Sequence, residues 1–402
     1  MSTTTPEYFF DLESRFGAHN YHPLPVVLDR GEGVFLWDVE GKKYYDFLSG
    51  YSAVNQGHCH PVIVGAFVKQ ASQLTLTSRA FYNNRLGEYV RFMHDYFGYD
   101  KILPMNTGVE AVETGIKLCR KWAYEVKGIP ENEARIIVCE GNFHGRTTGV
   151  ISFSSDPDST THFGPFLPGF IRIPYNDLQS LEQALQQPGV AGFLVEPIQG
   201  EAGVRVPDDG YLSGAKKLCE NAGVLFIADE IQTGLGRTGK MLCCDHEQVR
   251  PDILLLGKAL SGGMMPVSAV LADDEIMLTL KPGEHGSTYG GSPLACETAM
   301  AALRVLKDEH MTEKALLLGE QLRQSLRDLH SPFISEVRGK GLLNAIVVKD
   351  NDPDAAWKFC LRLMKNGLLA KPTHGDKIRF APPLVITPEQ LDECVQIIAR
   401  SI

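Results

Sequence analysis

Two residues of this chain combine reactive chemistry with a telling position. Asp229 closes a run of five apolar residues, 224–228, and such a run reads as a strand buried on both faces. Lys258 follows a second apolar run, 253–256, across one glycine, and precedes Ser261-Gly262-Gly263. An open α/β sheet places its ligands beyond the carboxyl ends of its strands, so a carboxylate and an amine are offered at one edge. A lysine taken out of water has a lowered pKa and becomes a usable nucleophile and proton carrier. A third group joins them. Asn106-Thr107-Gly108-Val109-Glu110 lies between a short strand and a long helix, where free N–H groups and a partial positive charge stabilise an anion. An aldehyde cofactor with a phosphate and a pyridine nitrogen uses all three. Pyridoxal phosphate is that cofactor: the lysine forms its Schiff base and the carboxylate keeps its ring nitrogen protonated.

Each group also has a plainer reading. Most lysines are solvated, a buried aspartate can cap the next turn, and Thr107 with Glu110 makes a capping box. It is the pairing of Asp229 with Lys258 that favours the cofactor. Gly234-Leu-Gly236-Arg-Thr-Gly239 matches the dinucleotide fingerprint and raises a nicotinamide-dependent oxidoreductase as the alternative. In that fingerprint the first glycine ends the strand and the third opens a helix. Here residues 230–233 intervene and 240–245 lacks a helix start. His58-Cys59-His60 and Cys243-Cys244-Asp245-His246 invite a metal ion, but their gaps are not those of a zinc site. No metal is expected.

The elements that must hold these groups follow from pattern. A hairpin is expected over 34–47, helices over 61–74 and 85–97, a strand at 101–104, and a long helix through about residue 127. Strands are expected at 136–139, 171–173, 191–195, 224–228 and 253–256, with helices near 178–185 and 211–222 between them. Strands alternating with helices predict an α/β fold with a mostly parallel central sheet flanked by helices. Beyond residue 300 come long helices at 293–307 and 311–329. Strands near 342–348 and 377–380 and helices near 353–366 and 387–400 then predict a smaller α+β domain. The expected division is 1–50 as a segment packing with the small domain, 51–307 as the large domain, and 308–402 as the small one.

At 402 residues the chain can bury a large core, and 44% hydrophobic with 22% charged residues is ordinary for a globular protein. A formal charge of −10 without a basic run argues against nucleic acid as a partner. No apolar stretch nears the ~20 residues of a membrane helix, so no membrane partner is expected. The first ten residues lack a signal-peptide core and an Arg-rich transit pattern. Nine scattered cysteines fit reduced thiols. A cytoplasmic protein is expected, or a mitochondrial-matrix one if a transit segment is absent from this stretch.

The run Ala228-Asp-Glu-Ile-Gln-Thr-Gly-Leu-Gly-Arg-Thr-Gly239, followed by Gly257-Lys-Ala-Leu-Ser-Gly-Gly263, resembles the class III pyridoxal-phosphate aminotransferases. Within them, Gly17-Ala-His-Asn-Tyr-His-Pro-Leu-Pro25, Tyr51-Ser-Ala-Val-Asn-Gln-Gly-His-Cys-His60, Glu196-Pro-Ile-Gln-Gly-Glu-Ala-Gly203 and Gly283-Glu-His-Gly-Ser-Thr-Tyr-Gly-Gly291 resemble the branch acting on ornithine. The likeness runs from about Gly17 to Arg400. It implies a fold-type I homodimer with the active site at the subunit interface. It also implies transfer of the δ-amino group of L-ornithine to 2-oxoglutarate; acetylornithine and 4-aminobutyrate are the substrates of neighbouring branches. By this resemblance Lys258 and Asp229 are catalytic, Gln232 bonds the cofactor's phenolic oxygen, Phe143 stacks on its ring and Ile231 lies against it. Gly108 and Val109 hold the phosphate, with Thr288 reaching it from the other subunit. Arg146 and Arg379 bind carboxylates, Glu201 masks Arg379 while ornithine is bound, and Tyr21 and Tyr51 line the ornithine pocket. His144 stands where the class varies.

Overall fold

The computed structural model describes residues 5–402. After a helix at Pro6–Phe16, strands β1 (Leu28–Glu32), β2 (Phe35–Asp38) and β3 (Lys43–Asp46) form an antiparallel ribbon. Gly41, at φ +83°, supplies the left-handed residue its turn requires. Helices Pro61–Ala71 and Leu86–Phe97 follow.

The centre is a seven-stranded sheet. Its members are β4 (Lys101–Met105), β5 (Arg135–Cys139), β6 (Phe170–Ile173), β7 (Val190–Val195), β8 (Leu225–Asp229), β9 (Ile253–Leu256) and β10 (Ser268–Ala272). They lie in the order β4-β10-β9-β8-β7-β5-β6, with β5 to β9 pairing parallel and β10 antiparallel to both its neighbours. Every residue of β7, β8 and β9 is buried. The reason is visible in β8. Leu225 and Ile227 pack with the helix Gly108–Glu125 on one face, while Phe226 and Ala228 pack with the helices Leu178–Leu185 and Tyr211–Asn221 on the other. Both faces being covered, the strand is written as a continuous apolar run. The carboxyl ends of these three strands bring Glu196, Asp229 and Lys258 to one edge of the sheet.

The helix Pro293–Asp308 packs on Pro61–Ala71, and the helix Met311–Asp328 leads into a second, antiparallel sheet. That sheet contains β11 (Ile334–Lys340) and β12 (Leu343–Val348); beyond the helix Ala355–Lys365 come β13 (Leu368–Leu369), β14 (Lys371–Thr373) and β15 (Lys377–Phe380). Its order is β11-β12-β15-β14, while β13 pairs parallel with β3 of the N-terminal ribbon. Lys42 Nζ reinforces this junction by donating to the carbonyls of Met364 and Lys365 at 3.2 and 3.0 Å. The chain closes with the helix Pro388–Ser401. Among the described residues no helix is long and apolar enough to cross a membrane.

The expected helices and strands all form, within one or two residues of their predicted ends except the helix expected over 61–74, which stops at Ala71. Pattern missed the helix Pro6–Phe16, the strands β1, β10, β11, β13 and β14, and the one-turn helices Ser49–Ser52, Thr148–Ile151, Pro157–Thr160 and Asp274–Met277. β10 is Ser-Ala-Val-Leu-Ala, whose small residues do not stand out as an apolar run, and its antiparallel course gives it no preceding α-helix. β11 carries polar residues because it is a half-exposed edge strand.

One buried cation ties the parts together. Arg237 is fully buried and donates to Asn55 Oδ1, to Leu342 O at 2.9 Å and to Pro382 O at 2.7 Å. Burial pushes its pKa down to about 9, which measures the strain of a cation offset mainly by dipoles. Asn55→Ala removes the acceptor facing this charge and should cost about 3 kcal/mol in denaturant unfolding. A loss below about 1 kcal/mol would contradict this role.

Candidate active site

The edge formed by β7, β8 and β9 opens into a cavity of about 260 Å³. Its walls include Gly108, Val109, Phe143, His144, Arg146, Glu196, Glu201, Asp229, Ile231, Gln232 and Lys258. Nine of the thirteen site residues read from the sequence therefore meet in one place. Tyr51 and Arg379 adjoin it, and both come from outside the central sheet.

Lys258 sits one glycine past β9 with a left-handed backbone, φ +45°. A non-glycine residue in that region is strained, and such strain gathers where a side chain must be aimed. Burial lowers its pKa, opposed by the nearby Glu201 and Asp229 carboxylates. Asp229 ends β8 and is fixed on both oxygens: Oδ1 accepts from Ile231 N at 3.1 Å, and Oδ2 from His144 Nδ1 at 2.6 Å. Burial works against a proton on His144, yet the Asp229 bond outweighs it and raises its pKa. Glu196, just past β7, accepts from Phe143 N at 2.8 Å and so fixes the Phe143 loop. Burial lifts the Glu196 carboxyl to about 7.

The helix Gly108–Glu125 begins with a complete capping box, Thr107 with Glu110. That box engages the N–H groups of Thr107 and Glu110. Gly108 and Val109, whose N–H groups have no intrahelical acceptor, line the cavity. A Cβ on Gly108 would come within 3.2 Å of the Ile231 side chain, so a larger residue at this helix start would make Ile231 give way.

Across the cavity, Arg379 on β15 is almost fully buried and donates to Glu201 Oε1 at 2.8 Å. The Gln232 amide bridges them, donating to Glu201 at 3.2 Å and accepting from Arg379 at 3.4 Å. Burial alone would raise the Glu201 carboxyl; the Arg379 guanidinium overcomes this and holds it at about 2. Arg379 Nε is buried without a partner, leaving the fork capacity for another acceptor. The Tyr51 ring lies 5.0 Å from this guanidinium. It is aimed by a run of left-handed residues, 49–52, held by Asp46 Oδ1 accepting from Leu48 N and Ser49 N. Arg146 lies 5.5 Å from the Phe143 ring. Two expected site residues do not line the cavity: Tyr21 is 68% exposed but near Tyr51, and Thr288 is exposed on a surface loop.

Sequence reasoning missed His144 and Glu196 as working parts. Glu196 obeys the same rule that singled out Asp229 and Lys258, a polar residue just past a buried strand. Nothing in the sequence announces that His144 meets Asp229, 85 residues away.

The family described as aminotransferase class-III matches residues 16–402. The chain is a class III aminotransferase. It is 63% identical over 396 residues to the mitochondrial ornithine aminotransferase of Rattus norvegicus, covering 98% of this chain and 90% of that one. A solved structure described as the acetylornithine aminotransferase of Elizabethkingia anophelis is 60% identical, with a TM-score of 0.91 over 99% of this chain and 98% of that one. The ornithine aminotransferase of Toxoplasma gondii, solved with pyridoxal phosphate partly occupying its active site, is 51% identical with a TM-score of 0.98. It covers 100% of this chain and 94% of its own. The chain is thus a fold-type I, pyridoxal-phosphate-dependent transferase. The residues present fit that cofactor: a desolvated amine, a fixed carboxylate, and a helix start with free N–H groups share one cavity.

The Glu201–Arg379 pair carries a pH signature. Glu201's folded pKa of about 2 lies below its ordinary 4.5, so its stabilising contribution is complete above about 4.5 and is lost as pH falls towards 2. The unfolding free-energy gap between wild type and Glu201→Gln should stay constant above about pH 5 and shrink by about pH 3. A gap unchanged across that range would show the pair is not formed.

Proposed function

We propose that this enzyme transfers the δ-amino group of L-ornithine to 2-oxoglutarate, giving glutamate 5-semialdehyde and glutamate in two half-reactions. The observation that carries this reading is the Arg379 guanidinium covered by Glu201 at 2.8 Å. Ornithine reacts through its distal amine and brings one carboxylate; 2-oxoglutarate brings two. A single site serves both if a second carboxylate clamp can be covered for the first substrate and uncovered for the other. Arg146 is the standing clamp in this reading, and Arg379 the switched one. Tyr21 and Tyr51 border the ornithine chain.

Bound pyridoxal phosphate supplies an electron-withdrawing ring that stabilises negative charge on the carbon bearing the transferred nitrogen. The chain's residues do the rest. Gly108 and Val109 N–H would hold the phosphate, Phe143 and Ile231 would flank the ring, and Gln232 would donate to the phenolic oxygen; all line the one cavity. Asp229, braced by His144, holds the proton on the ring nitrogen. Lys258 Nζ, its charge disfavoured by burial, would take the proton from the substrate's δ-carbon and deliver it to the carbon that was the cofactor's aldehyde, so that the nitrogen changes owner.

A homodimer completes the site in this proposal, with Thr288 serving the second copy. Phe81 at 73% exposure and the wholly exposed Tyr82 form an apolar surface that a second copy would cover. We also propose the division into residues 1–50, 51–307 and 308–402, supported by the separate sheets. A reducing compartment, cytoplasm or mitochondrial matrix, is supported by nine free thiols and by the mitochondrial rat relative.

The 60% identical acetylornithine enzyme favours a second reading, in which the α-nitrogen is acylated. Purified enzyme with 2-oxoglutarate should turn over ornithine at least about tenfold more efficiently, in kcat/KM, than N-acetylornithine or 4-aminobutyrate. The reverse order would replace the proposal. Glu201→Ala should shift donor preference from ornithine towards glutamate, and unchanged preference in paired half-reaction rates would remove the switching role. Asp229→Ala should lower kcat by several powers of ten while cofactor stays partly bound; a loss under about tenfold would deny Asp229 its role.

A further inference from the structure

The exposed loop 281–290 carries Thr288 and has no regular secondary structure. Glycines at 283, 286 and 290 leave it little intrinsic order, and ordering each residue costs about 1–2 kcal/mol. What holds it is a row of side-chain bonds along the helix Gly108–Glu125. Ser287 Oγ accepts from Asn106 Nδ2 at 2.7 Å, beside the helix start. Further along, the His285 ring lies between Thr114 Oγ1 at 2.8 Å and Lys117 Nζ at 2.9 Å. Lys121 Nζ pairs with Glu284 at 2.9 Å near the far end.

The protons in this row have one consistent arrangement. Thr114 Oγ1 donates to Glu110 O at 2.6 Å, so towards His285 it accepts, and the ring proton sits on Nε2. Nδ1 is then the acceptor that the Lys117 ammonium requires. Partial burial and the Lys117 charge hold the His285 pKa below its usual value, which keeps the ring neutral. Both ring nitrogens are used and neither faces the cavity of its own chain.

We propose that His285 is a positioning residue: it pins the loop to the helix Gly108–Glu125 so that Thr288 is presented, already ordered, to the cofactor phosphate in a second copy's site. The inference rests on the reading that Thr288 serves the second copy. It adds that the helix whose start holds the phosphate in one site is also the splint for a phosphate contact in the other.

The test is pyridoxal-phosphate titration of four apo-dimers, followed by cofactor absorbance: wild type, His285→Ala, Thr288→Ala and the double variant. Thr288→Ala should weaken binding, and His285→Ala should weaken it on the order of tenfold, as expected for one or two lost hydrogen bonds. The double variant should bind no more weakly than Thr288→Ala, since His285 acts through Thr288. If alanine at 285 does not fold, Thr114→Val removes only the hydroxyl that His285 meets and takes its place in the cycle. Wild-type binding by His285→Ala beside weakened binding by Thr288→Ala would overturn the positioning role alone. Full additivity in the double variant would do the same. Wild-type binding by Thr288→Ala would remove the underlying reading of Thr288.

Discussion

A lysine amine without water around it is the constraint on which the rest of this structure depends. Lys258 leaves a wholly buried strand across one glycine and stands in a cavity whose other charges are themselves mostly buried. Moving such a group out of water is costly unless opposite charge compensates. Asp229 and Glu201 compensate, and each is held by a partner of its own, His144 and Arg379. Glu196, with a pKa near 7, is partly protonated at neutral pH, which keeps the cavity from carrying three full negative charges. Burial thereby disfavours the charge on the amine, the direction its chemistry needs.

The fold explains why these groups meet. Strands β7, β8 and β9 are parallel neighbours, so their carboxyl ends align, and each is followed by a polar residue at that edge. The second sheet adds what the first lacks, a guanidinium on β15 opposite the amine. Arg237 binds the turn after β8 to Asn55, Leu342 and Pro382, three residues after Arg379. Glycine at 341 is required at the same junction, because a Cβ there would meet Thr238 at 2.3 Å. The distance between Arg379 and the sheet edge is thus set by a packed, hydrogen-bonded seam.

Much of this was legible in the residues. Continuous apolar runs gave β7 to β9 because strands covered on both faces have no polar alternation to disguise them. Asp229, Lys258 and the Gly108 helix start were found by their place at strand ends, and Glu196 could have been. The roles of Arg146, Arg379, Glu201 and Tyr51 came from resemblance, since no local pattern distinguishes a clamp from a surface ion pair. The His144–Asp229 and Gln232–Arg379 contacts were not legible. They join residues 85 and 147 positions apart through tertiary packing. Thr288 stands away from its own chain's cavity, so a single chain's fold cannot assign it.

The account stands most directly on the amine of Lys258. Holoenzyme treated with borohydride, digested and mapped by mass spectrometry should carry the reduced cofactor on the peptide containing Lys258, and on no other. A cofactor adduct on a different lysine, or none on a protein that retains its cofactor, would contradict it.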